Sequence, residues 1–239
     1  MIPKKIHYVW VGNNEKSDFV NACIRNWKMV LPDYEFYEWN ETNLDMKDIF
    51  SKSTFIKDCY DRKLWAFVSD YIRLKVLYEH GGIYLDTDIT LEKDISPLIN
   101  ASFFIGKENE KYISAGVIGS TRGNGILREL INFYEREIYQ VDFYTIPRVI
   151  THVFEKNENF DGLATIYPPE YFYPYYYTEC FNESKLTENS YAIHWWGKSW
   201  GGDDHSFLKT KHLSGYRRLL VKLKCKLRSY ADYIRVNIL

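Results

Sequence analysis

A chain of 239 residues with 46% hydrophobic and 26% charged side chains can bury a sizeable core in one domain, which excludes a disordered or fibrous protein. Lys plus Arg at 31 against Asp plus Glu at 32 leave a net charge of -1, so no global basic field points to nucleic acid. No apolar run reaches the roughly 18 residues of a membrane span, and residues 1–5 lack a secretory apolar stretch, so the expected location is cytoplasmic.

IHYVW at residues 6–10 predicts a buried strand running into the loop Val11-Gly12-Asn13-Asn14. A helix is predicted over 18–30, stopped by Pro32, and YEFYEW predicts a second strand over 34–39. Strand, helix and strand at this spacing imply a parallel α/β sheet. Residues 63–80 predict a helix with apolar side chains in nearly every direction, hence one inside the domain, and Gly81-Gly82 ends it. Residues 83–86 form a short strand leading into Thr87-Asp88. Further strands are expected at 103–105, 113–118 and 191–195, with helices at 126–139 and 147–155. Residues 167–177 hold six tyrosines and three prolines, which predicts a packed aromatic loop. No linker divides residues 1–206, read as one Rossmann-like domain, and a basic helical tail follows over 207–239.

The near-zero charge is uneven. Nine basic residues against one acidic give about +8 over residues 209–239 and leave about -9 in residues 1–208. Tyr216, Leu219, Leu220, Leu223, Leu227, Tyr230 and Ile234 recur at helical spacing among these basic residues, a pattern that suits an anionic membrane surface or, alternatively, packing on the domain. Cys23, Cys59, Cys180 and Cys225 are widely spaced and suggest neither disulfides nor a zinc site.

Asp86-Thr87-Asp88 is an Asp-x-Asp triplet, of which fifteen aspartates predict about one by chance, so context decides its meaning. Two carboxylates at the carboxyl end of a buried strand lie where open α/β sheets bind ligands, and they repel unless a cation neutralises them. Mg²⁺ or Mn²⁺ bridging a diphosphate fits such oxygen ligands, whereas the plainer reading is a pair of solvated loop acids. Asp70 and Arg73, three apart on the apolar helix, can form an ion pair that is structural or serves a ligand, with Ser69 beside them. His194-Trp195-Trp196-Gly197-Lys198-Ser199-Trp200 gathers an imidazole, a hydroxyl and three indoles into seven residues. Trp10 ends the first strand, as core or as a stacking face.

IPKKIHYVWVGN at 2–13, PDYEFYEWN at 32–40, SDYIRLKVLYEHGGIYLDTDI at 69–89 and HWWGKSW at 194–200 together resemble glycosyltransferase family 32. The family includes capsule and lipopolysaccharide sugar transferases and relatives of the glucosylating domain of large bacterial toxins. The resemblance implies a GT-A fold that uses a nucleotide sugar, UDP-linked by the Trp10 match, with Mn²⁺ or Mg²⁺ and retention at the anomeric carbon. It implies Trp10 on the base, Ser69 on the nucleoside, Tyr84 beside the ribose, and Asp70 and Arg73 holding the donor sugar. Asp86 would reach ribose, sugar and metal, Asp88 would bind metal directly, and Ser199 and Trp200 would close over the diphosphate. The acidic metal residue of the toxin branch has no counterpart before Ser199, and His194 is its substitute. Trp65 is larger than expected and would narrow the base pocket.

The expected function is metal-dependent transfer of a hexose to a glycan acceptor, for instance a lipid-linked capsule or lipopolysaccharide intermediate at the inner face of the cell membrane. Rivals are a toxin-like transferase acting on protein, a non-catalytic carbohydrate-binding module with the tyrosines of 167–177 as platform, and a metal phosphohydrolase.

Overall fold

The computed structural model describes residues 1–160 and 162–197, plus positions 215, 216, 219, 220 and 223. Residues 1–197 form one compact unit and 198–239 a second. In the first, β1 (Lys5–Val9) is followed by α1 (Asp18–Val30), whose Ser17 Oγ accepts from the Val20 N–H at its start. Helix α1 buries Val20, Cys23, Ile24 and Trp27, each large aliphatic contributing about 2 kcal/mol, and leads to β2 (Glu35–Trp39).

Two short helices, α2 (Met46–Lys52) and α3 (Thr54–Asp61), come next and were not predicted, although Asp45 and Ser53 cap them through their side chains. Helix α4 (Trp65–His80) begins two residues after the predicted start, because Lys63 takes a left-handed φ of 59°. It buries residues in most directions, Asp70 and Arg73 included.

The chain continues through β3 (Gly82–Leu85), β4 (Ile89–Leu91), β5 (Phe103–Lys107) and β6 (Ile113–Ser120). Helix α5 (Gly125–Asn132) runs on as a π-type turn over Phe133–Glu137, so the helix predicted at 126–139 is regular only in its first half. Helix α6 (Ile146–Lys156), β7 (Thr165–Tyr167) and β8 (Ala192–His194) complete the unit.

The main sheet has the order β2-β1-β3-β6-β5-β7. The expected parallel sheet holds only for β2, β1 and β3 and for the β5/β7 edge; β6 runs antiparallel to both β3 and β5. The reason is connectivity: the hairpin turn after β5 returns the chain antiparallel, where a parallel neighbour needs a long crossover. A second sheet pairs β4 with β8, opposing Ile89 to His194, and so brings the last strand against the Asp86 to Asp88 loop. In the tail, positions 215, 216, 219, 220 and 223 are helical, with Tyr216, Leu219, Leu220 and Leu223 exposed.

Candidate active site

The site grows from the middle of α4 and the strand β3 that follows it. Arg73 lies buried beneath β3, where its Nη2 pairs with Asp70 Oδ1 at 2.9 Å and with Asp86 Oδ1 at 3.1 Å. Its Nη1 donates to Asp86 Oδ2 at 3.1 Å and to the Ala115 carbonyl at 2.9 Å. The guanidinium also lies 4.6 Å from the centre of the Tyr84 ring. Tyr84 in turn donates to Asp86 Oδ1 at 2.9 Å, and its hydroxyl is 3.2 Å from Ser69 Oγ. Arg73 and Tyr84 therefore meet on Asp86, and Asp70 and Ser69 are joined to it through them.

Burial dominates the Asp70 carboxyl and pushes it up to about 8 despite the opposing Arg73 charge. Arg73 stays charged, because Asp86, Tyr84 and Asp70 outweigh the penalty of burial. Among the described residues, Asp70 Oδ2 and Arg73 Nε are buried polar atoms without a hydrogen-bond partner. A sugar bearing several hydroxyls is the kind of ligand that satisfies them.

Asp86, Asp88 and His194 present ligand atoms that all lie within 4.8 Å of one another. His194 Nε2 is 3.1 Å from Asp88 Oδ1, and the Gly197 N–H donates to Asp88 Oδ2 at 2.6 Å. Burial pushes Asp88 up, but His194 and the Gly197 N–H outweigh it and hold the carboxyl low. Burial likewise lowers His194, and the Asp88 charge overcomes it to raise the imidazole. The His194 Nδ1 is buried without a hydrogen-bond partner among the described residues. Two carboxylates and an imidazole within this span fit a divalent cation, with carboxylate oxygens suiting Mg²⁺ or Mn²⁺ and the imidazole favouring Mn²⁺ of the two.

Glycines keep this space open. A Cβ on Gly116 would lie 3.2 Å from Asp86 Oδ2, and one on Gly197 would lie 2.9 Å from Asp88 Oδ2. Trp10 is half-buried at the end of β1, its Nε1 donating to the Asn14 carbonyl at 2.7 Å and the Lys16 ammonium 5.7 Å from its ring. Trp65 packs under the Gly12 turn, 5.2 Å ring to ring from Tyr60, and so fills part of the space below the loop after β1. Ser199 and Trp200 lie outside the described residues.

The first part of the tyrosine loop, residues 167–173, is more internal than a platform requires. Phe172 and Tyr173 are buried, and Tyr171 stacks between Tyr167 at 4.5 Å and Tyr191 at 5.7 Å. Sequence reasoning missed Glu108 and Ser114, which lie together on the β5–β6 hairpin with the Glu108 carboxylate acting on His194. Glu108 follows strand β5 directly, and an acid at a strand's carboxyl end was the available signal.

Residues 17–105 match the family described as glycosyltransferase sugar-binding region containing DXD motif. Inositol phosphoceramide mannosyltransferase 3 of Schizosaccharomyces pombe is 27% identical over 146 residues, covering 59% of this chain and 40% of that protein. Mannosyl phosphorylinositol ceramide synthase CSH1 of Saccharomyces cerevisiae is 28% identical over 229 residues, covering 88% and 56%. The chain thus spans about half the length, or less, of these curated relatives. In fold it resembles the galactosyltransferase LgtC in complex with donor and acceptor sugar analogs, with a TM-score of 0.51 at 13% identity over 92% of this chain and 95% of that one.

Proposed function

We propose that this chain, a glycosyltransferase of the family 32 type carrying the DXD sugar-binding region, moves a hexose from a nucleotide sugar to a glycan acceptor with retention at the anomeric carbon. The observation that carries this reading is the contact between two sets of groups: the Asp86, Asp88 and His194 cluster shares Asp86 with the buried Asp70 and Arg73 pair. One set suits a metal-bound diphosphate and the other a sugar, and Asp86 joins them where a glycosyl phosphate bond would lie.

Asp88, His194 and Asp86 are the residues that would hold Mn²⁺ or Mg²⁺, which supplies counter-charge to a departing nucleoside diphosphate. Arg73 fixes Asp86 through both terminal guanidinium nitrogens, and Asp70 offers its free oxygen to a sugar hydroxyl. Trp10 is assigned to the base, with Ser69 and Tyr84 at the nucleoside, and Ser199 and Trp200 to closure over the diphosphate. The acceptor oxygen attacks the anomeric carbon from the face that the phosphate leaves, passing its proton to the leaving oxygen. Positioning and preorganised charge dominate such a step.

The acceptor is assigned as a glycan on a lipid, such as a capsule or lipopolysaccharide intermediate. Relatives named for inositol phosphoceramide support the lipid class. Residues 209–239 are the proposed contact with an anionic inner membrane face, and no described helix is long and apolar enough to cross a membrane.

Calorimetry with UDP and with GDP, each with and without Mn²⁺, tests the reading, followed by a hydrolysis screen of UDP-glucose, UDP-galactose, UDP-N-acetyl sugars and GDP-mannose. Metal-dependent affinity for one nucleotide and turnover of one donor are expected. Nucleotide affinity indifferent to metal, or phosphate release from simple esters instead, overturns it.

A further inference from the structure

Beside the metal cluster lies a group of rings that the donor does not use. The His194 ring is 4.4 Å from Trp196, and Trp196 is 5.6 Å from Tyr176 and 6.0 Å from Tyr177. Tyr176 and Tyr177 are themselves 4.3 Å apart, and Tyr177 is 61% exposed, far more than the packed tyrosines at 167 to 173. Trp196 has a left-handed φ of 54°, a costly conformation for an indole-bearing residue, and its Nε1 is fixed by the Tyr175 carbonyl at 2.9 Å. The backbone here holds Trp196 in place against its own preference.

A polar rim borders these rings. The β5–β6 hairpin closes through the Glu108 N–H to the Tyr112 carbonyl at 2.9 Å, which sets Glu108 and Asn109 at its tip. Asn109 lies beside the Tyr176 hydroxyl, and the Glu108 carboxylate acts on both Tyr176 and His194. Glu108 is therefore within electrostatic reach of both the rings and the metal cluster.

We propose that Tyr176, Tyr177 and Trp196, with Glu108 and Asn109 at the edge, form the subsite for the acceptor, and that its occupant is a pyranose ring. A pyranose has an apolar face of C–H groups and a perimeter of hydroxyls, which matches an exposed aromatic face with a carboxylate and an amide at its border. A lipid chain would find the carboxylate unfavourable, and a protein loop would need a broader surface than these rings offer. Placing the sugar here puts one of its hydroxyls beside Glu108 and close to His194. Glu108 is a positioning residue in this arrangement, accepting a hydrogen bond from a ring hydroxyl neighbouring the one that attacks. The proposal rests on the transferase reading above for its role, but not for the binding itself.

Two measurements separate the two. Ligand-observed NMR with a panel of p-nitrophenyl hexosides, run on the full chain with UDP and Mn²⁺, reads the subsite, while donor hydrolysis without acceptor reads the donor side. Tyr177→Ala is expected to weaken hexoside binding about tenfold with Mn²⁺-UDP affinity and donor hydrolysis unchanged, and Glu108→Gln to weaken hexoside binding several-fold. For the hexoside that accepts sugar, Glu108→Gln lowers kcat more than it raises KM, which a merely structural role would not do. Hexoside binding that survives both substitutions places the subsite elsewhere, and binding of none of the panel rejects a pyranose; either overturns the proposal. Hexoside binding that depends on Tyr177 in a chain that binds no nucleotide leaves the sugar subsite standing and removes the transferase.

Discussion

The Asp70, Arg73 and Asp86 network and the Asp88 and His194 cluster use the same kinds of group, yet they are assembled in different ways. The first comes from one helix and the next strand, with Asp70 and Arg73 almost wholly buried. The second joins segments of the chain 109 residues apart at Gly197 and Asp88, and both Asp88 and His194 keep some exposure, at 16% and 12%. A buried network locks its geometry in before any ligand arrives, and its integrity is also a folding requirement. A half-open cluster held by β4 and β8 can exchange its internal hydrogen bonds for a cation without disturbing the core. Donor-side side chains should therefore report on stability and activity together, and metal-side side chains on activity alone.

Arg73→Met tests the first half of that contrast and should have the largest effect. It leaves the Asp70 and Asp86 carboxylates without their shared counter-charge, at a cost of about 3–5 kcal/mol in chemical denaturation. A loss below about 1 kcal/mol would show that the pair contributes little to the fold. Asp88→Ala tests the second half: turnover should fall roughly 10² to 10³-fold with the urea midpoint almost unmoved. An Asp88→Ala chain that unfolds as readily as Arg73→Met erases the distinction.

Gly197→Ala is a gentler probe of the metal side. The added Cβ would sit 2.9 Å from Asp88 Oδ2 and push that carboxylate out of its bond with the Gly197 N–H. Mn²⁺ affinity, read by calorimetry, should weaken several-fold while stability stays within about 0.5 kcal/mol. Unchanged Mn²⁺ affinity would mean that the position of Asp88 does not matter to the cation.

The same contrast explains what was legible in the sequence. Asp70 with Arg73, and Asp86 with Asp88, are close in sequence, and the helix and strand periods alone put each pair in one place. The expectation that His194 would join Asp88 came through the family resemblance, since only the β4/β8 pairing brings residue 194 to residue 89. Glu108 carries only the weak local signal of an acid after a strand and Tyr177 is one tyrosine of six in its loop; a hairpin turn and a strained Trp196 assemble their surroundings. The antiparallel placement of β6 was hidden for the same reason, as its side chains are equally buried in either direction.

Perturbed titration alone does not separate site from scaffold, and His7 supplies the control. Its Nε2 is 2.8 Å from the Gly81 carbonyl, and its Nδ1 accepts from Trp39 Nε1 at 3.0 Å, so the neutral ring carries its proton on Nε2. Burial, partly offset by the Gly81 bond, lowers it to about 4. Protonating Nδ1 would break the Trp39 bond and charge a buried ring. A histidine depressed in the folded state stabilises fully above its unfolded value of about 6.5, and that contribution is lost as pH falls toward 4. Unfolding free energy should therefore drop over this window by at most about 1.4 kcal/mol per pH unit from this group. In His7→Gln the drop should shrink, with Mn²⁺-UDP affinity at pH 7.5 unchanged. A slope as steep in His7→Gln as in the native chain would assign the acid sensitivity to other groups. Lost nucleotide binding in that variant would tie the far end of β1 to the site, and would break the separation between scaffold burial and functional burial.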